Sequence, residues 1–426
     1  MKRLKLLAGV AVLVTAGAAR ADVEDTPLDP LDPIRVVSPL TIVQGDGIKV
    51  GDGTAVYPQV GLETGYASNT FYQADNPQGA GILRLLVSAG LGSLSKARLG
   101  ADSGDVVFDA NGYAAYDRYL SSNNDVTDQS GLGLGFNGNV VVHPKGNVSF
   151  EASDKFDRIL RPTNYESNVN ATRDINIATL RLDVHPSNSR LGGSLAYTNA
   201  VDVFENQDQL PDRMLHTLAG RLSFRLLPLT DVYIAASGSY NTGLGNTKKV
   251  DSFPVVVTAG ISTALTVKTS VAAEAGYTQG FYSSGPDYAT VTGGAYFEYR
   301  YSEVSAFRLR YAYVHADSIN ANFYRDHVIQ GWLEHKVDRF GLFLTPEIRF
   351  REYAGFAAVM GSSANRDDVI AAAALGVRYQ LRNWVTAAVQ YRVVSDSTNF
   401  KLMTGTATVD PSYVTHEVFA GVRLAL

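Results

Sequence analysis

The sequence predicts an all-β protein, a single transmembrane antiparallel β-barrel of about 18 strands with short periplasmic turns and longer extracellular loops. Three observations carry this. The chain opens with an export signal, it alternates apolar and polar residues at period 2 from Ala55 to the end, and short and long connections alternate between the strands. Composition narrows the chemistry further. The 426 residues include no cysteine and are 45% apolar. That excludes a disulfide framework, a thiolate metal site, a cysteine nucleophile and a lipidated N-terminal cysteine, and it is too apolar for disorder.

Met1-Lys2-Arg3-Leu4-Lys5 forms a basic n-region, Leu6 to Gly17 an apolar h-region, and Ala19-Arg20-Ala21 a small-x-small cleavage site. Residues 1–21 therefore read as a signal peptide cleaved after Ala21. Its apolar core of about a dozen residues is short of the roughly 20 that a membrane anchor needs. Removing these residues, with four basic groups and no acid, takes the formal net charge from −5 to −9. Nucleic acid is excluded as a partner on that charge. Beyond Ala21 no stretch approaches 18 consecutive apolar residues, so any spanning must be by strands. Residues 22–54 read as an acidic, Pro-rich periplasmic arm, with five acids and three prolines between Asp22 and Ile34. Residues 55–426 form the barrel.

Strands are predicted to begin near Ala55, Ala80, Asp105, Gln129, Asn147, Asp174, Leu191, Arg213, Asp231, Ser252, Ser270, Tyr288, Ala306, Asn322, Leu342, Asp367, Trp384 and Tyr413. Each is roughly 11 to 15 residues long, which suits a tilted bilayer crossing of about 9 to 11 residues better than a globular strand of about 5 or 6. Short links fall at His143 to Gly146, His185 to Arg190, Leu227 to Thr230, Thr266 to Thr269, Ser302 to Ser305, Asp338 to Gly341 and Arg382-Asn383. Longer polar links separate them, at Ser121 to Asp128, Ile159 to Arg173, Glu205 to Asp212, Asn241 to Asp251, Ala354 to Arg366 and Ser395 to Ser412. Pro144, Pro186 and Pro228 recur every 42 residues, marking a hairpin unit.

Alternation also sorts charge. In Phe307-Arg308-Leu309-Arg310-Tyr311 one phase is apolar and the other holds both arginines. A basic side chain facing lipid at midplane costs roughly 2 to 4 kcal/mol, so the charged phase is placed in the lumen. The residues expected to line the pore are Arg300, Arg308, Arg310, Arg349, Arg351, Arg378 and Arg392, with Glu298, Glu347 and Tyr296. On those strands the arginines face only Glu298 and Glu347, which points to a path for anionic groups. For any single residue a cross-strand ion pair that stiffens the wall is the commoner role. The last strand carries Phe419, Gly421, Leu424 and Leu426, which resembles the C-terminal membrane-targeting strand of outer-membrane barrels, read by the barrel-assembly machinery.

Catalytic signals are weak. Gly133-Leu134-Gly135-Phe136-Asn137-Gly138 matches a dinucleotide fingerprint by letter but sits within a predicted strand with no helix after it. No H-E-x-x-H pair and no G-x-S-x-G elbow occurs. The chain is expected to be no enzyme and to use no cofactor or metal.

Gly53-Thr54-Ala55-Val56-Tyr57-Pro58-Gln59-Val60-Gly61-Leu62, followed by Gly65-Tyr66-Ala67-Ser68-Asn69-Thr70-Phe71-Tyr72, resembles the first strand and loop of the beta-barrel porin 2 family. Ala67-Ser68 stands where that family carries an acidic residue. The resemblance implies an outer-membrane conduit, in a Gram-negative bacterium, for export of a hydrophilic polymer. The polymer expected is an exopolysaccharide, handed over by a periplasmic polysaccharide-export partner. The alternatives are a diffusion porin for small solutes, anions among them, and a structural or adhesive barrel.

Overall fold

The computed structural model describes residues 47–50, 53–93, 105–160, 172–205, 210–245, 249–355, 366–404 and 407–426. Residues 1–21, expected from the sequence to be a signal peptide, the arm as far as residue 46, and most of the links after Leu160 and Gly355 lie outside the described residues. Eighteen long strands follow one another. They are β1 Thr54–Ala67, β2 Ala80–Ser93, β3 Val106–Leu120, β4 Gly131–Val142, β5 Val148–Ile159 and β6 Arg173–Val184. Next come β7 Leu191–Phe204, β8 Asp212–Leu227, β9 Thr230–Leu244, β10 Ser252–Ala264, β11 Thr269–Tyr282 and β12 Tyr288–Ser302. The ring ends with β13 Ser305–Asp317, β14 Phe323–Val337, β15 Phe340–Ala354, β16 Arg366–Arg382, β17 Val385–Thr398 and β18 Tyr413–Ala425. Each starts within two residues of its predicted position.

Every strand pairs antiparallel with the next, and β18 returns to β1 from Gln59↔Ala425 to Ala67↔Glu417. The sheet therefore closes without an edge. Pleating sends alternate side chains to opposite faces. On β16 the outward phase is Val369, Ala371, Ala373, Leu375 and Val377, whereas Asp368, Ile370, Ala372 and Ala374 are buried on the inner face. On β8 the outward Leu218 and Leu222 are 55% and 70% exposed, an apolar belt facing whatever surrounds the barrel.

Histidines mark the margins of that belt. Tyr197, Tyr301, Tyr311 and Tyr391 each place their hydroxyl 2.7 to 2.9 Å from Nδ1 of His216, His335, His327 and His416. Amphipathic rings of this kind suit a boundary where one end is apolar and the other wet.

Tight turns join the strands at one rim. His143, Asn188 and Asp338 take positive φ there, at 51°, 65° and 50°. The opposite rim departs from the predicted pattern, because the links Ser283–Asp287 and Ser318–Asn322 are as short as turns. A single-turn helix, Asn124–Thr127, interrupts the link after β3, with Asn123 accepting from the Asp125 N–H at its start. Within the arm, Ile48 and Lys49 pair back onto Val56 and Ala55, a short strand where the arm enters the barrel.

Candidate functional site: the lumen and its mouth

Three segments of the loop-side rim fold inward. The tip between β13 and β14 sets Ile319 against Phe204 and Leu210, at the facing ends of β7 and β8. Beside it Asp317 meets Lys249 at 2.9 Å, and the Lys249 ammonium also donates to the Ser318 carbonyl. Arg213 on β8 donates to the Asp317 carbonyl at 3.4 Å, although β8 and β13 are five strands apart in the ring. Arg213 is itself held by Asp202 at 2.8 Å, and Asp202 takes Arg173 at 2.6 and 2.7 Å. Two guanidinium groups on one buried carboxylate make a rigid anchor for the tip.

The link after β1 is the second segment. Asn69 accepts from the Gln73 N–H at 3.0 Å and donates to the carbonyls of Gln73 and Val414. This fold holds Tyr72 at φ 53° and buries its ring against Tyr413, 5.0 Å away between centroids, beside Ile370 and Val394. Non-glycine residues in the left-handed region cost of order 1 kcal/mol or more, so the tyrosine's burial offsets strain in its own backbone. Third, Phe400 after β17 is buried 6.0 Å from the Arg366 guanidinium.

Below the mouth the wall is a ladder of ion pairs. Arg84 holds Asp117 at 2.6 and 2.8 Å and reaches Glu63 at 3.2 Å, while Arg423 approaches Glu63 at 3.1 Å. Of the residues predicted to line the pore, Arg351 makes a two-pronged bond to Asp326 at 2.7 and 2.8 Å. Arg349 pairs with Glu347 and lies 3.6 Å from Asp326. Arg378 meets Glu334 at 3.2 Å and Arg392 meets Glu417 at 3.4 Å. Arg300 and Arg308 share Glu298, which also accepts from the Tyr296 hydroxyl at 2.6 Å. Arg310 stands opposite Tyr296 and Gln330 in the ladder.

The expectation that on their own strands these arginines face only Glu298 and Glu347 is corrected by Asp368 and Asp396, buried on the inner faces of β16 and β17, and on neighbouring strands Asp326, Glu334 and Glu417 compensate three of the arginines. Alternation fixes which face a residue takes, but the register that brings Asp326 beside Arg351 is a property of the paired strands. Trp332 also escaped the sequence reading. It shares the inward phase of β14 with Asp326, is 47% exposed, and lies 5.3 Å from the Arg308 guanidinium. Its phase relative to Asp326 and Glu334 was the available signal.

The glycine-rich run lies inside β4 as expected. Tyr113, which donates to Asp157 at 3.2 Å, lies across Gly135 so closely that a Cβ there would sit 2.0 Å from its ring. Glycine is what lets the ring lie flat on the wall. No group of three metal-ligating side chains occurs among the described residues. In the last strand Leu424 and Leu426 face outward, whereas Phe419 faces the lumen, under Arg84 at 4.9 Å. Gly421, on the same inner phase, leaves no room for a Cβ beside the Leu62 carbonyl.

No protein-family model matches the chain, and no curated protein matches it by sequence. The resemblance of residues 53–72 to the beta-barrel porin 2 family therefore rests on those letters alone. Among solved structures, OccK2 (OpdF) of Pseudomonas aeruginosa in complex with glucuronate is 12% identical, with a TM-score of 0.45 over 87% of this chain and 98% of that one. OpdK of the same organism with vanillate gives 9%, 0.44, 87% and 99%. The siderophore receptor PirA of Pseudomonas aeruginosa gives 8%, 0.44, 87% and 80%. The ligands in these names belong to those proteins.

Proposed function

We propose that the chain is an outer-membrane channel through which small hydrophilic solutes diffuse, without chemistry on them. The observation that carries this reading is the bridged mouth. An 18-stranded ring alone leaves a wide aqueous bore. Here Ile319 on Phe204 and Leu210, and Asp317 on Lys249, set side chains across part of that opening. A narrowed, charge-lined passage suits small solutes. Export of an exopolysaccharide with a periplasmic partner, the leading expectation from the sequence, would require these segments to swing aside, so the bridged mouth favours the diffusion reading over it.

One contact open to a solute is on the turn side of the lumen. Two guanidinium groups, Arg300 and Arg308, share one carboxylate there, with the indole of Trp332 beside them. That arrangement leaves one positive charge in excess within the triad and favours anionic groups. The test is conductance of the purified protein in planar bilayers, with solute uptake and surface polysaccharide measured in a strain lacking it. Small stable steps and slowed uptake with normal polysaccharide are expected. A silent bilayer together with lost polymer would retire the diffusion reading.

A further inference from the structure

The arm enters the barrel at the turn-side rim, beside β1. One side of β1 is taken by β2 from Thr54↔Ser93 onward, so Ile48 and Lys49, opposite Val56 and Ala55, lie on the other side, in line with β18. Leu426, at the end of β18, donates to the Pro58 carbonyl at 3.1 Å and holds the next ladder position. Gly47, with φ 75° and the Tyr57 ring where a Cβ would stand, turns the chain out of the ladder there. On the far side of β18 the Ala425 N–H donates to the Trp384 carbonyl at 2.9 Å. One strand spacing and two or three residues along the ladder therefore separate Ile48 from Trp384, about 10 Å. A recess of about 420 Å³ opens there, with Lys336, Asp338, Arg339, Gln380, Arg382 and Trp384 in its lining. It holds three cations against one carboxylate, and none of these four charged side chains makes a hydrogen bond or ion pair among the described residues. The lumen wall differs, since Arg351 there is held by Asp326 and Arg392 by Glu417. The Trp384 side of the recess is apolar and 51% exposed.

Residues 22–34, DVEDTPLDPLDPI, have the complementary chemistry: Asp22, Glu24, Asp25, Asp29 and Asp32, with Pro27, Pro30 and Pro33 among them. We propose that this segment of the same chain docks on the recess, its carboxylates on Lys336, Arg339 and Arg382 and a proline on the Trp384 indole. Three arguments select it. Charge is the first, because unpaired cations meet a segment with five acids and no base. Shape is the second. Prolines favour an extended chain that loses little entropy on docking, and an exposed aromatic ring is the surface such segments use. Reach is the third. The 12 residues between Ile34 and Gly47 span at most about 40 Å, and about 10 Å is needed. Exposed ion pairs are weak singly. A short tether, however, sets an effective concentration in the millimolar range, so a modest affinity keeps the arm seated. A separate acidic molecule would lack that advantage.

The absence of cysteine from the full chain makes the test direct. Leu28→Cys is combined with Asn383→Cys, at the recess, or with Pro144→Cys, in the turn between β4 and β5 on the other side of the arm's entry, and each pair is oxidised at low salt. Disulfide-linked peptides within one chain are expected for Leu28→Cys with Asn383→Cys, and roughly fivefold less for Leu28→Cys with Pro144→Cys. Equal linkage in both pairs describes an arm that docks nowhere and overturns the proposal. So does a lack of linkage at Asn383→Cys, or a product of twice the chain mass, which would put the segment on another copy. Replacing Lys336, Arg339 and Arg382 together by Gln is expected to lower the linked fraction at Asn383→Cys roughly fivefold while the barrel keeps its heat-modifiable migration. Salt at about 1 M should do the same to the unaltered rim, since it screens exposed charges beyond about 3 Å. Linkage that both treatments leave unchanged also overturns the proposal.

Discussion

Asp326 is the residue on which the wall's energetics concentrate. It is 1% exposed and lies within ion-pair distance of both Arg349 and Arg351, so its loss takes the paired carboxylate from the buried Arg351 and leaves Arg349 to Glu347. Asp326→Asn is expected to cost about 3–5 kcal/mol, measured by urea unfolding in detergent micelles. Arg325→Gln, in a half-exposed pair with Glu352, should cost under about 1 kcal/mol in the same assay. Glu298→Gln addresses conduction instead. Freed from their shared carboxylate, Arg300 and Arg308 should shift the reversal potential in a salt gradient toward anions, and an unchanged potential would remove them from the solute path. The charged phase of these strands was legible from alternation alone. The partners were not, because whether Arg351 stands opposite Asp326 or Val328 on β14 depends on how far one strand slides against its neighbour, and the side-chain pattern is the same at every second residue.

At the level of elements, strand boundaries were legible because turn residues announce them: Pro144, Pro186 and Pro228 sit beside His143, His185 and Leu227, where strands stop. The inward lean of the β13–β14 tip was not. It depends on Phe204, Leu210 and Lys249, contributed by distant elements whose approach no local pattern encodes. Ile319→Ser should loosen that contact and raise single-channel conductance, with strand content by circular dichroism unchanged. The link after β17 carries a pH-dependent tie. Burial raises the pKa of Asp410, but hydrogen bonds from Lys401 and Ser412 outweigh it and hold the carboxyl below its ordinary value of about 3.9. A depressed carboxylate pKa stabilises the link at pH values above that ordinary value, and the stabilisation is lost as pH falls through the depressed one. Limited proteolysis at Lys401 by an acid-stable protease should therefore accelerate below about pH 4 and be insensitive to pH in Asp410→Asn.

For the whole molecule, the contact between β18 and β1 has a kinetic meaning. Arg423 and Glu63, 3.1 Å apart, are 360 residues distant in the chain. Joining such ends costs about 5 kcal/mol of chain entropy beyond a constant, and it is recovered only when the ladder from Gln59↔Ala425 to Ala67↔Glu417 forms. Non-local pairing of this kind slows folding, since the cost precedes the gain. The first strand synthesised must then wait for the last, so the cylinder forms only after the polypeptide is complete. A chain lacking residues 413–426 should keep two open edges, fail to reach the heat-resistant compact form on gels, and be cleared by proteases while still unassembled.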